Sequence, residues 1–218
     1  MEMYVSADII EAGKYMYDKG LAWGSTGNIS AAAEGNYFYI SGSGSRLGEL
    51  DEGKIAICHL DSDSYEPAVK PSKEYNIHRH IYMNRLGTRA IVHTSPPFVT
   101  MVAAAKEGMK LELRYFIESM VLLRDLAWVP FLIPGSNELA EEVGEASKSA
   151  DVIMMKNHGV IIAAETIPKA MNKLEALEFL CRMLITAKSA GIELEPVSDE
   201  MMLRLLKESK YKSYVYSA

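Results

Sequence analysis

Cysteine is scarce in this chain. Among 218 residues there are two, Cys58 and Cys181, each within an apolar stretch (AICHL and EFLCRML). Two such thiols read as buried and free, not as a disulfide framework, and they suit a reducing compartment. Basic runs are missing as well: 23 Lys and Arg stand against 29 Asp and Glu, a net charge of −6. A nucleic-acid partner calls for a basic face, so that class is set aside. No stretch approaches the roughly 20 apolar residues that a membrane helix needs. The N-terminus, MEMYVSADIIEAGKYMY, carries acidic residues and lacks the apolar core of a signal peptide. These absences predict a cytoplasmic protein with neither a nucleic-acid nor a membrane partner. No internal repeat, low-complexity segment or linker divides the sequence, so one domain over residues 1–218 is expected.

What is present is the composition of an ordinary globular protein, 49% hydrophobic and 24% charged. Apolar periodicity predicts a helix over residues 7–19, capped by Ser6 and stopped by Gly20. GSTGNIS (24–30) reads as a tight turn, NYFYI (36–40) as a strand, and SGSGSRLGELD (41–51) as a second glycine-serine loop. A strand over 54–60 follows, then a helix over 73–84 opened by Pro71 and Ser72. RAIVH (89–93) is a strand that ends on a histidine. Pro96 and Pro97 stop it, and a helix runs on to 107. Residues 110–126 fit no single element. A strand over 127–133, a helix over 138–149, strands over 151–156 and 160–164, a helix over 167–190 and a last helix to about 209 complete the pattern. The connection in VIMMK-NHG-VIIAA is too short for a parallel crossover, so those two strands form an antiparallel hairpin. A mixed or antiparallel sheet with helices on its faces follows.

Five histidines occur: His59, His78, His80, His93 and His158. His93 ends a strand and His158 sits in the hairpin turn, positions that project a side chain into a cleft. Either one alone is more simply a satisfied histidine. Two at strand ends, with a carboxylate nearby, fit a metal ligand or base and a pair of satisfied histidines equally well. Glu74 falls in the first turn of its helix, where it could cap, or serve as ligand and general base. His78, four residues on, would pair with Glu74 on one helix face. The loops 24–30 and 41–45 could each cradle an anion through backbone N–H groups, although each alone is also an ordinary turn.

Taken in order, GSTGNIS, ISGSGSRLGEL, PSKEYNIH, AIVHTS and MKNHGVI resemble the motifs of the class II aldolase/adducin family over roughly residues 7–190. The resemblance implies an α/β/α fold, a single domain whose central sheet is mostly antiparallel and flanked by helices. It implies a homotetramer with sites at subunit interfaces, and a small phosphorylated sugar or other small anion as partner. The implied cofactor is a divalent metal, zinc first, with manganese or cobalt as alternatives. Carried over by motif, Glu74 is the acid/base and ligates the metal when substrate is absent, and His93 and His158 are metal ligands. Ser25, Asn28, Ser43, Gly44, Ser72 and Lys73 are phosphate contacts. A tyrosine from the neighbouring subunit serves the aldehyde, with Tyr115 the nearest candidate and the tail residues Tyr211, Tyr214 and Tyr216 as others.

One departure matters. The family pattern is H-x-H, and this chain reads His93-Thr94-Ser95. A serine hydroxyl is a poor zinc ligand beside imidazole. Glu74 could complete a two-histidine-one-carboxylate set, His78 or His80 could be recruited, or metal binding could be weak or lost. The implied activity is a metal-dependent aldolase that cleaves a short phosphorylated ketose through an enediolate. A sugar-phosphate epimerase or dehydratase on the same fold, and a non-catalytic adducin-like protein, are the alternatives.

Overall fold

A computed structural model describes residues 2–106 and 111–208. Its strands are β1 (Asn28–Ala32), β2 (Tyr37–Ser41), β3 (Ile55–His59), β4 (Ala90–Thr94), β5 (Leu126–Val129), β6 (Val152–Met155) and β7 (Gly159–Ala164). They form one sheet in the order β3-β2-β1-β4-β7-β6-β5. All neighbours are antiparallel except β5 and β6. The helix α5 (Asn137–Ser147) lies between that parallel pair in sequence, as a crossover requires. The sheet is therefore mixed and mostly antiparallel.

The pleat sends alternate residues to opposite faces. On one face Ile29, Ala31, Val92, Val152, Met154, Val160 and Ile162 pack into the main core. Helices α1 (Glu2–Asp18), α3 (Pro97–Ala104) and α6 (Ile167–Ala190) cover it, and α4 (Ile117–Leu122) lies along α6. On the other face Ile91, Ile153, Met155 and Ile161 pack beneath α5 and α2 (Tyr75–Asn84). A smaller cluster of Phe38, Ile40, Ala56 and Cys58 extends this second layer over β2 and β3. The expected α/β/α layering is present, and a helix α7 (Asp199–Glu208) follows.

The long helix has the expected bounds because its ends are marked chemically. Thr166 accepts a hydrogen bond from the Lys169 N–H at the start, and Gly191 takes φ +68° at the end. Glu178, within the same helix, accepts from the N–H groups of Phe98 and Val99 and so satisfies the start of α3.

Several expectations need correction. GSTGNIS is a turn only in its first half, because Asn28, Ile29 and Ser30 begin β1 and pair with both β2 and β4. The first helix starts at Glu2, not after Ser6. The stretch 110–126 contains a short 3-10 turn (Leu113–Tyr115), α4 and the first residue of β5. The strand expected over 127–133 ends at Val129, because Pro130 lacks an N–H for the ladder. The tail residues Tyr211, Tyr214 and Tyr216 lie outside the described residues.

Candidate active site and metal centre

Three elements bring the central residues together. His93 is the fourth residue of β4 and points to the α2 side, like Ile91 two residues earlier. Asn28 of β1 is its register partner, so the two side chains lie side by side. His158 belongs to the β6–β7 turn, which Asn157 enters with φ +56°. Gly159 follows at φ +153°, where a Cβ would lie 2.4 Å from the Thr94 carbonyl oxygen. Only glycine lets this turn press against the end of β4. Gly27 repeats the device, since its Cβ would meet the His93 carbonyl oxygen at 2.8 Å.

Glu74 occupies the N-cap position of α2, at φ −105° and ψ 14°, and its side chain makes no capping bond. The helix-cap reading of this residue is therefore excluded. Its carboxylate lies between two imidazoles instead. Oε2 is 3.1 Å from His93 Nε2, and Oε1 is 3.1 Å from His158 Nε2. The two rings stand nearly perpendicular, with centroids 5.0 Å apart. His93 is 3% exposed, whereas Glu74 and His158 are 13% and 15% exposed, so the less buried edge of the cluster is on the Glu74–His158 side.

Burial opposes the charge on Glu74. His93 first, and then His158, outweigh it and hold the carboxyl well below the usual carboxylate range. Burial likewise opposes protonation of His93, and the facing Glu74 carboxylate overcomes it, so His93 titrates above the ordinary imidazole value. His93 Nδ1 lies 2.9 Å from the Val160 carbonyl oxygen and must donate to it. Its Nε2 is left with either a proton or a lone pair aimed at a cation.

Whether these groups suit a metal is decided by their donor chemistry. One ligand atom from each of Glu74, His93 and His158 lies within 4.8 Å of the others. Glu74 Oε1 is buried with no hydrogen-bond partner, although His158 Nε2 stands at ion-pair distance. An unsatisfied buried carboxylate oxygen is costly unless something else neutralises it. Two nitrogen donors and one carboxylate, with a backbone carbonyl fixing one ring, are a set whose chemistry suits a divalent ion.

Other expected residues fall in four groups. Ser72 is beside the cluster, its hydroxyl 3.0 Å from Asn28 Nδ2, which also donates to Glu74 Oε2 at 3.2 Å. The loop of Ser43 and Gly44 is stitched to the same segment: Ser43 N donates to the Lys70 carbonyl and Ser72 N to the Ser41 carbonyl. Lys73 and Ser25 are exposed, the latter on the turn three residues before Asn28. Tyr115 packs against the main core, on the face of the sheet away from Glu74.

The missing second histidine is not replaced by Ser95, whose hydroxyl donates to the His158 carbonyl at 2.8 Å. His80 is not recruited; it lies where α2 crosses Gly144 of α5. Nor is His78, because both its nitrogens are engaged by Ser30 and Asn28. The expected Glu74–His78 pair does not form, since Glu74 lies outside the helix proper and four-residue spacing places nothing for it. The partners of His78 went unseen in the sequence. The one available signal was the N-x-S spacing of Asn28 and Ser30, which puts both on one face of a strand.

Residues 7–185 match the family model described as the Class II Aldolase and Adducin N-terminal domain. An L-fuculose phosphate aldolase of Methanococcus maripaludis (strain C7) is 36% identical over 168 residues, 77% of this chain and 89% of that protein. A 5-deoxy-D-ribulose 1-phosphate aldolase of Bacillus thuringiensis serovar kurstaki is 29% identical, over 89% of this chain and 90% of that one. A 3-oxo-tetronate 4-phosphate decarboxylase of Pectobacterium atrosepticum is 27% identical over 84% of each. Among solved structures, a sugar-phosphate aldolase from Thermotoga maritima superposes with a TM-score of 0.80 at 24% identity, over 88% of this chain and 98% of that chain. With the sheet order, the motif order and these relatives in agreement, the chain belongs to the class II aldolase and adducin family and is a lyase-type enzyme within it.

Proposed function

We propose that the chain is a divalent-metal-dependent aldolase that cleaves a short phosphorylated ketose. The observation that carries this reading is the Glu74 carboxylate bracketed by His93 and His158 at 3.1 Å each. Those three residues would hold the ion, zinc first, with manganese or cobalt as alternatives. When bound, the ion supplies a positive charge facing the oxygens of the substrate's carbonyl and hydroxyl groups. Glu74 delivers a proton to the enediolate carbon during cleavage and removes it during condensation. A tyrosine hydroxyl exchanges the proton at the aldehyde oxygen. Tyr115, on the face of the sheet away from Glu74, would do so from a neighbouring subunit of a homotetramer.

Phosphate is taken up beside the carboxylate. The loop of Ser43 and Gly44, the hydroxyls of Ser25 and Ser72, and the exposed Lys73 supply donors and one cation, and Asn28 joins this cradle to Glu74. Cytoplasmic placement is part of the same proposal; no helix among the described residues is long and apolar enough to cross a membrane.

Removing the metal tests the reading. Dialysis against a chelator is expected to abolish cleavage of a ketose 1-phosphate, and zinc, manganese or cobalt to restore it. Undiminished cleavage after complete removal contradicts it. Decarboxylation of a phosphorylated 3-oxo acid is the second reading, favoured by Lys73, a cation suited to a carboxylate. It makes the same kind of carbanion, with carbon dioxide leaving in place of the aldehyde, and carbon dioxide release from such an acid distinguishes the two.

A further inference from the structure

Beneath Glu74 runs a chain of hydrogen bonds that the proposed reaction does not use. His78 is fully buried on α2. Its Nε2 lies 2.5 Å from Asn28 Oδ1, and its Nδ1 lies 2.6 Å from Ser30 Oγ. Ser30 Oγ is also 2.7 Å from the Tyr82 hydroxyl. Burial pushes His78 down to about 3, so the ring is neutral near pH 7 and carries one proton.

The direction of every bond then follows. An amide oxygen only accepts, so His78 Nε2 holds the proton and donates to Asn28. Its Nδ1 is left as an acceptor, and Ser30 fills it with its only hydrogen. Tyr82 in turn donates to Ser30. At the other end, the oxygen of Asn28 is committed to His78, so its NH2 group must face Ser72 Oγ at 3.0 Å and Glu74 Oε2 at 3.2 Å. Turning the Asn28 amide over would set oxygen against the Glu74 carboxylate and NH2 against the His78 N–H. The other His78 tautomer could meet the turned NH2 group, but two acceptor oxygens would then face each other at Glu74, and that contact repels.

We propose that His78 is a positioning residue: through Asn28 it fixes one oxygen of Glu74 in place, and so leaves the other, Oε1, facing His158. The fixed oxygen is a consequence of polarity passed along Tyr82, Ser30, His78 and Asn28. With Ser95 where the family has a third imidazole, a larger share of the site's geometry falls on Glu74 and on whatever holds it. Groups behind a ligand typically change metal affinity 10–100-fold when removed.

This inference rests on the metal-site reading, and its test separates the two. Zinc affinity is measured by calorimetry for the wild type, His78→Leu and His78→Gln, and the Glu74 side chain is located in crystals of each. His78→Leu removes both bonds. It is expected to weaken zinc binding about 10–100-fold and to release the carboxylate from Asn28. His78→Gln keeps an N–H for Asn28 and is expected to restore most of the affinity and the position of Glu74. If His78→Leu does not fold, Ser30→Ala, which removes the donor to Nδ1, carries the same test with the same direction of change. A leucine variant that folds with wild-type zinc affinity and an undisplaced Glu74 overturns the proposal. A wild type that binds no zinc overturns the metal reading; the position of Glu74 in the leucine and glutamine variants then decides the positioning claim by itself.

Discussion

The Glu74 carboxylate has three polar neighbours, Asn28, His93 and His158, from three different elements. None is a partner that helix spacing supplies. Motif order picked out Glu74, His93 and His158 in the sequence, because each stands in a short signature with proline, glycine or a strand end beside it. His78 was legible only as a residue four places after Glu74. Its partners lie about 50 positions earlier in the chain, and such contacts leave no periodic trace. Two expectations belong to this scale. Glu74→Gln keeps the shape and loses the proton-carrying group; turnover should fall about 10²–10⁴-fold with the fold intact, as read by kcat and circular dichroism. The second concerns acid. The unfolded chain protonates His78 near 6.5, and the native chain only near 3. Stability from this group is therefore complete above pH 6.5 and lost as pH falls toward 3. Glu74, held low, acts in the same direction. His93, held high, acts oppositely, its contribution present at low pH and lost as pH rises through its native value. Urea unfolding from pH 7 to pH 4 should show a shallower loss of stability in His78→Gln than in the wild type; equal slopes would mean that the ring is not held neutral.

Elements with chemically marked ends were legible. The helix Ile167–Ala190 is announced by Thr166 and by Gly191, and the β6–β7 hairpin by Asn157, His158 and Gly159 between two apolar runs. β1 was half hidden, because Asn28 and Ser30 are polar residues in a buried strand and read as part of a loop. They face His78 and Tyr82, so their polarity serves the site and misleads the pattern. The parallel β5–β6 pair was hidden for another reason: strand direction is set by the α5 crossover, which no residue in β5 encodes. At this scale Gly159→Ala is the informative change. An added Cβ would stand 2.4 Å from the Thr94 carbonyl at a backbone angle that side chains avoid. Thermal or urea denaturation should show a loss of about 1–3 kcal/mol, and His158, one residue away, should lose its place on Glu74. A variant as stable as the wild type would show that the turn has room to relax.

For the whole molecule, the apolar surface is unevenly covered. Trp23 is 58% exposed, Phe131 57% and Ile133 70%, and Trp23 donates to the Ser95 carbonyl beside the site. Scattered apolar side chains are normal on a surface; large ones next to a site fit subunit contact. Light scattering is expected to give the mass of four chains. Tyr115→Phe should then lower kcat in the tetramer without changing zinc affinity, because the proposed role takes its hydroxyl from a neighbour and makes it no ligand. A monomer with full activity contradicts both expectations. At this scale the composition is that of a globular protein, whereas the proposed sharing of a site between chains would rest on surface complementarity, which a single sequence does not display.

If Glu74, His93 and His158 form one metal site, calorimetric titration of metal-stripped protein with zinc reads it at the ligands themselves. One ion is expected to bind per chain in the wild type and none in the His93→Ala, His158→Ala double variant. Absence of binding in the wild type, or binding that survives the double substitution, would contradict it.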